Sequence, residues 1–199
     1  MPKITEARRE ERRAQYLDAA RRCVSRQGIA GTRMEDITAE AGLSSGSTYL
    51  YFATKDELIR AAIDSSLRQF EAAIEEAGQN AGSALHGLLA AVLAEVARFG
   101  TETPGVDLYR LAVQGWAFAQ TDQQAAVLIR ESFGRIVAIL DAAIASRLPA
   151  GSALSATDTA RGLASVLVSG VVRRALLGDL GDEAQLRELE ALAQLVRSG

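Results

Sequence analysis

The feature that most constrains this chain is a dense series of helix-ending and helix-starting signals near its N-terminus. Gly28 can end a preceding helix, because glycine adopts the left-handed backbone of a helix C-terminus without strain. Thr32 and Glu35 form a capping box that opens a second helix. Gly42 then supplies a turn, and Ser44 can cap a third helix. These signals predict short helices in close succession.

The first three helices are predicted to pack into one small unit. Tyr16 lies on the apolar face of the first helix, and Ile37 and Leu43 are its expected partners in a shared core. A second capping box, at residues 54–57, opens a long fourth helix. Two short helices joined by a glycine turn are typical of a helix-turn-helix, whose second helix enters the major groove of DNA. The first three helices are expected at about 5–27, 33–41 and 45–52.

The remainder of the chain is predicted to be a succession of helices separated by Gly- or Pro-containing breaks. Aromatic residues make up only 5% of the sequence, and abundant Ala and Leu favour helices over strands. We therefore predict an all-α fold of about nine helices, with a three-helix head at residues 1–54 and a helical bundle at 55–199. The helices of the bundle are expected at about 56–77, 83–99, 106–120, 122–147, 155–177 and 182–196.

Charge is distributed unevenly along the chain. The whole sequence has a formal net charge of −3, but residues 1–30 carry +4 and residues 61–199 carry −5. A basic end on an acidic body is expected of a protein that meets phosphate groups with that end. A solvated helix face with pairs such as Glu6 and Arg9 would give the same pattern, so charge alone leaves both interpretations open.

Export and membrane insertion are not expected. The N-terminal residues lack the apolar core of a secretory signal, and the longest apolar stretch, Gly162–Val172, is shorter than the ~20 residues of a membrane-spanning helix. The single cysteine, Cys23, excludes an internal disulfide and is expected to be a buried, inert thiol. The sequence therefore favours a cytoplasmic protein without membrane contact.

The segment from Gly42 to Leu58 combines a glycine turn, a serine cap, a further glycine, Tyr-x-Tyr-Phe and Lys-x-x-Leu at fixed spacing. In this it resembles the tetracycline-repressor (TetR) family of bacterial regulators, over about residues 10–62. The resemblance implies a ligand-responsive repressor that binds a palindromic operator as a homodimer and is released by a small molecule. The matching residues are Gly42, Ser44, Gly46, Tyr49, Tyr51, Phe52, Lys55 and Leu58, with Gly28, Gly31, Thr32, Asp36 and Ile37 upstream.

Three positions depart from the family pattern. Ser45 stands where the family often has Lys, Thr48 where it usually has Leu, and Thr38 where it usually has Ala. The absent lysine implies one phosphate contact fewer. The two threonines bear on how the small core of the head packs.

The resemblance also implies which residues meet DNA. Base edges are expected at four residues, because serine bonds to several bases, glycine permits close approach and large side chains pack on thymine methyls. These are Ser45, Gly46, Tyr49 and Leu50. Alternatively, Tyr49 and Leu50 belong to the core of the head, whereas Tyr51 is expected to point away from it. The expected phosphate contacts are Thr32, Arg33, Ser47, Tyr51 and Lys55.

A palindrome requires two heads and hence a dimer. The eighth predicted helix is apolar almost all round, and the ninth has leucines at helical spacing. By resemblance, both helices pair with those of a second copy; burial within one copy is the alternative for the eighth. The expected interface residues are Leu163, Leu167, Gly170, Val171, Leu186, Leu189, Leu192 and Val196.

The resemblance places a pocket for a small, largely apolar effector among the fourth to eighth helices. His86 is the single histidine, and it has either a role in the pocket or a purely structural role. Trp116 fits a pocket wall and the hydrophobic core equally well. The pocket candidates are Phe70, His86, Phe99, Tyr109, Arg110, Gln114, Trp116 and Phe133.

Two other classes of protein fit the sequence less well. One histidine cannot form a paired-histidine zinc motif, it has no hydrolase motif around it, and no Gly-rich phosphate loop is present. We therefore expect no catalytic residue, cofactor or metal. The second class is a helical scaffold that does not touch DNA, but such a role would not explain the capping boxes, Tyr-x-Tyr-Phe and Lys55 together. Retention on heparin or DNA would distinguish a DNA-binding protein from such a scaffold.

Overall fold

The computed structural model describes residues 5–101, 105–149, 151–178 and 187. These ranges contain eight α-helices and no strand, which confirms the predicted all-α class. The ninth predicted helix, at 182–196, falls outside the described residues apart from residue 187. The helices are α1 (Glu6–Gly31), α2 (Met34–Glu40), α3 (Ser45–Thr48), α4 (Lys55–Asn80), α5 (Leu85–Thr101), α6 (Leu108–Ala119), α7 (Gln123–Ala145) and α8 (Ala156–Leu177). Within the described part of the chain, no helix has both the length and the apolarity that crossing a membrane requires.

The caps of the short helices differ in detail from the prediction. α2 begins one residue late, because the backbone N–H of Arg33 donates to Asp36 Oδ2 at 2.9 Å. The predicted box of Thr32 and Glu35 is therefore wrong by one position. The side chain of Ser44, at the start of α3, makes no capping hydrogen bond.

Two other predicted helix boundaries are confirmed. Gly28 interrupts α1 with φ 73° and ψ 167°, and one further helical turn follows it. Thr54 caps α4, where its hydroxyl accepts from the backbone N–H of Glu57 at 3.1 Å.

The chain forms two compact units, the first made of residues 1–68 and 103–129. In this first unit Tyr16, Ile37, Phe52 and Leu58 are almost completely buried. Tyr16 and Ile37 are therefore central, as predicted, and Leu43 packs partly buried against the same cluster. α6 belongs to this unit as well and packs against α1, so the head contacts a helix that is distant in sequence.

Three basic residues of α1 hold the first unit together. Arg22 and Arg26 each donate to the carboxylate of Glu40 on α2 at 2.6 Å, and these hydrogen bonds lower the pKa of Glu40. Arg21 is buried and donates to Ser65 and Ser66 of α4 at 2.7 and 2.9 Å. Part of the positive charge of residues 1–30 therefore serves folding, and the cations nearer the N-terminus carry the expectation of phosphate binding.

The second unit comprises residues 69–102 and 130–199. Leu163 and Leu167 of α8 are 8% and 3% exposed, and Gly170 is also buried, so these predicted interface residues lie in the core of the single chain. The alternative of burial within one copy holds for them, while Val171 is half-buried. Leu186, Leu189, Leu192 and Val196 lie outside the described residues.

Candidate nucleic-acid interface

The segment after the glycine turn, residues 45–52, is named here the reading segment. Only Ser45–Thr48 is α-helical, which is shorter than predicted. After Thr48 the backbone N–H groups of Leu50 and Tyr51 donate to carbonyls three residues back, at 3.1 and 3.0 Å. The N–H of Phe52 then donates to Thr48 O, four residues back, at 3.0 Å, so the chain continues in turns beyond the short helix.

The outer side of the reading segment presents large groups to solvent. Tyr49 is 57% exposed and Leu50 is 75% exposed, so the alternative that they belong to the core of the head is wrong. Gly46 is exposed too, and a Cβ built on it would meet nothing within 4 Å. The backbone at Gly46 therefore faces open space, as close approach to a groove floor requires. The side chain of Ser45 lies outside the described part.

The inner side of the reading segment is buried. Phe52 is 1% exposed, and the Arg13 guanidinium lies 4.8 Å from the centre of its ring. Tyr51 is half-buried against the same core, with its ring centre 5.5 Å from that of Tyr16. The expectation that Tyr51 points away from the core is therefore corrected: its ring takes part in packing.

A cleft of about 590 Å³ lies between the start of α1 and the reading segment. Arg8 and Arg12 bring two cationic side chains into its wall, opposite Ser47, Leu50 and Tyr51. The sequence prediction missed these arginines as individual contacts. Their spacing of four residues places both on one helix face, but Arg22 and Arg26 share that spacing, so the sequence alone does not single out Arg8 and Arg12. The remaining lining residues are Thr5, Tyr16, Gly42, Leu43 and Ser44.

Two predicted phosphate contacts have their polar groups engaged within the protein. Thr32 is 1% exposed, its hydroxyl donates to Gly28 O at 2.7 Å, and its backbone N–H donates to the same carbonyl at 3.2 Å. Ser47 donates its hydroxyl proton to Ser44 O at 2.7 Å, which leaves it as the acceptor in its 2.7 Å hydrogen bond with the Tyr16 hydroxyl. Neither hydroxyl has a proton left for a phosphate.

Of the other three predicted phosphate contacts, Arg33 and Lys55 have charged groups that can reach a phosphate. Arg33 is exposed at the start of α2. Lys55 is half-buried, and its ammonium donates to Ile29 O at 3.2 Å. Because an ammonium has three donors, Lys55 can keep this bond and still bind a phosphate.

The predicted pocket residues are divided between the two units. In the first unit, Gln114 accepts a hydrogen bond from Ile29 N–H at 3.3 Å, so its amide contacts the head. Arg110 is exposed there, and Tyr109 and Trp116 are half-buried. In the second unit, the rings of Phe70 and Phe99 are 5.4 Å apart, His86 is exposed and Phe133 is 40% exposed. Among the described residues no cluster of His, Cys, Asp and Glu could hold a metal ion.

An exposed reading segment after a glycine turn, beside a cleft lined by arginines, defines a helix-turn-helix DNA-binding protein. The comparisons with known proteins agree. The family model described as "Bacterial regulatory proteins, tetR family" matches residues 17–62. The HTH-type transcriptional regulator BetI of Burkholderia mallei is 31% identical over 179 residues, covering 90% of this chain and 88% of that protein. The chain belongs to the TetR family of transcriptional regulators.

Solved structures show the same fold. A regulator from Saccharomonospora viridis in complex with choline superposes with a TM-score of 0.70 at 20% identity, covering 93% of this chain and 96% of that one. FadR from Bacillus subtilis in complex with stearoyl-CoA gives 0.68 at 18% identity, covering 87% and 92%. The relatives and the structural neighbours are transcriptional regulators, not enzymes.

Proposed function

We propose that this chain is a cytoplasmic repressor that binds a palindromic operator as a homodimer and is released by a small effector. The proposal divides the chain into a DNA-binding domain at 1–54 and an effector-binding and dimerisation domain at 55–199. The observation that carries it is the exposure of Tyr49 and Leu50 beside the open backbone of Gly46. Large apolar groups are left in water here, at the position where a groove would cover them.

The reading of DNA is assigned to two sets of residues. Gly46, Tyr49 and Leu50 meet base edges, together with Ser45 from the sequence prediction. Arg33, Lys55 and Tyr51 meet phosphates, and Arg8 and Arg12 join them because they line the cleft beside the reading segment. Ser47 and Thr32 are left out of the contacts, because their hydroxyl protons are used inside the protein.

Selection from a random duplex library, followed by fluorescence anisotropy on the selected and a scrambled duplex, tests this assignment. Tyr49→Ala should lower the preference for the selected duplex. Lys55→Ala should weaken binding to both duplexes alike and flatten the salt dependence. Arg98→Ala is the charge-matched control, because Arg98 pairs with Glu95 within α5 and belongs to the second unit. Unchanged binding in both test variants would refute the assignment.

The homodimer is assigned to the exposed side of α8. Val168 is 37% exposed, and Ser165 and Ser169 flank it as small exposed residues that permit close helix approach. Light scattering after size exclusion should give a mass of two chains, and Val168→Glu should shift it to one. A monomeric wild-type chain at micromolar concentration, or a dimeric variant, would contradict this interface.

The effector acts by population shift, binding better to the conformation that reads the operator poorly. Of the predicted pocket residues, Phe70, Phe99 and Phe133 lie together in the second unit and stay the proposed pocket residues, with His86 as the polar candidate there. Two structural neighbours bind ligands as different as choline and stearoyl-CoA, so the fold does not identify one effector. The proposal therefore keeps the class expected from the sequence, a small and largely apolar molecule. A true effector should raise the melting temperature and release the selected duplex. A ligand that binds without changing operator affinity would speak against the coupling.

A further inference from the structure

Two buried threonines join the reading segment to α2. Thr38 lies on α2 and is 6% exposed, and Thr48 ends α3 and is 0% exposed. Their hydroxyl oxygens are 2.8 Å apart, which is a hydrogen bond between two side chains in the interior of the head. These are two of the three positions at which the sequence departs from the TetR pattern, and the structure shows that they are partners.

The direction of this hydrogen bond follows from the third group at the site. Thr38 Oγ1 lies 2.9 Å from Met34 O, and a carbonyl can only accept. The proton of Thr38 therefore goes to Met34 O, and Thr48 must donate to Thr38. Both hydroxyl protons are used, so the pair is a satisfied polar element inside an apolar core.

A second hydrogen bond holds the neighbouring residue from another side. Ser47 accepts from the hydroxyl of Tyr16 on α1 at 2.7 Å. Residues 47 and 48 are thus held by α1 and α2 respectively. Since α3 is only four residues long, two directional bonds on adjacent residues fix its rotation about its own axis. The buried ring of Phe52 also limits that rotation, but apolar contacts are less directional than hydrogen bonds.

We propose that Thr38 and Thr48 are positioning residues for sequence discrimination, because their hydrogen bond fixes the direction in which the reading segment presents its exposed side. This inference rests on the proposed reading of bases by Gly46, Tyr49 and Leu50. The pair itself does not touch DNA. Its loss should therefore reduce the preference between sequences more than it reduces the affinity for DNA in general.

A set of valine variants separates positioning from stability. Thr38→Val leaves the hydroxyl proton of Thr48 buried without its acceptor and should lower the melting temperature by about 3–8 °C. Thr48→Val should cost less, because the Thr38 hydroxyl loses a donor but keeps its own bond to Met34 O. The double variant replaces both hydroxyls with apolar groups of the same shape and should regain most of that loss. Thr159→Val is the matched control, because Thr159 on α8 also donates to a carbonyl four residues back, at 2.7 Å.

The decisive measurement compares two duplexes: the one that the wild-type chain selects from a random library, and a scrambled version of that duplex. The quantity measured is the ratio of their dissociation constants. We expect the double variant, although folded and near wild-type stability, to lose about tenfold of this ratio, while Thr159→Val keeps it. A double variant that discriminates between the duplexes as well as the wild-type chain would overturn the positioning role. A double variant whose loss of melting temperature equals the sum of the losses in the two single variants would overturn the hydrogen bond between the two threonines. A wild-type chain that selects no sequence would instead refute the proposed function, and this inference with it.

Discussion

Gly28→Ala is the substitution for which the structure gives the clearest quantitative expectation. Gly28 has φ 73° and ψ 167°, a region that is essentially restricted to glycine and costs other residues about 1–3 kcal/mol. The new Cβ would also lie 3.1 Å from Gln114 Oε1, which must move away. A shift of a few tenths of an ångström weakens the 3.3 Å hydrogen bond from Ile29 N–H, at a cost of up to about 1 kcal/mol. The total expected loss in the free energy of unfolding is about 1–4 kcal/mol.

A double-mutant cycle separates the two contributions. Gln114→Ala should cost about 1 kcal/mol by itself, since it removes the same hydrogen bond. In that background Gly28→Ala should cost only the backbone strain, so the two substitutions should fall short of additivity by up to about 1 kcal/mol. Equilibrium urea unfolding at one fixed chain concentration measures all four proteins.

A second glycine serves as the control for this cycle. Gly134 lies within α7 with nothing within 4 Å of a built Cβ, so Gly134→Ala should stabilise the chain by about 0.5–1 kcal/mol. A loss below about 1 kcal/mol for Gly28→Ala, or strict additivity with Gln114→Ala, would refute the reasoning.

Three further outcomes follow from the first unit. Hydrogen bonds from Arg26 and Arg22 lower the pKa of Glu40 from its ordinary value of 4.5, so the ionised carboxylate stabilises the fold above pH 4.5 and stops doing so as the pH falls through the lower pKa of the folded state. In thermal melts, the stability advantage of the wild-type chain over Glu40→Gln should therefore shrink below pH 4.5. An advantage that grows as the pH falls would contradict this account. Replacing Arg8 and Arg12 with Ala should weaken binding to all duplexes and reduce the slope of log K against log salt by about 0.9 per lost phosphate contact, and an unchanged slope would exclude both from the interface. Cys23 is buried and burial raises the pKa of its thiol, so Ellman's reagent should label it only after denaturation; rapid labelling of the native chain would show that the site opens.

The sequence predicted the helices well because their ends are encoded locally. Gly28 and Thr54 act at the positions expected of them, through a positive φ and a side-chain cap. The buried hydrogen bond between Thr38 and Thr48 could not be predicted, because the two residues lie on different helices and a threonine in a sequence does not indicate which residue it will bind. The long-range contact of Gln114 with Ile29 could not be predicted either, since 85 residues separate the two.

The dimer face shows a different kind of failure. α8 is apolar almost all round, so its sequence pattern does not tell which side packs inside the chain. The resemblance implies an interface that includes Leu163 and Leu167, yet both are core residues. The exposed side carries smaller groups, including Ser165 and Ser169. Only packing distinguishes the two sides, which is why the structure changes the residues of the proposed interface while leaving its helix the same.

The contacts of Ile29 suggest one of two mechanisms by which an effector releases DNA, and the two mechanisms predict different effects on selected and scrambled duplexes. Its N–H is held by Gln114 of α6 and its carbonyl by Lys55 at the start of α4, so that α6 and a proposed phosphate contact meet at one residue. An effector that moves α6 would displace Lys55 through Ile29 and weaken binding to every duplex equally, because phosphate contacts carry no sequence information. An effector that changes the spacing of two heads would instead weaken palindromes selectively. Measuring the release of selected and scrambled duplexes in parallel decides between the mechanisms, and Gln114→Ala should blunt the response only if the first one operates.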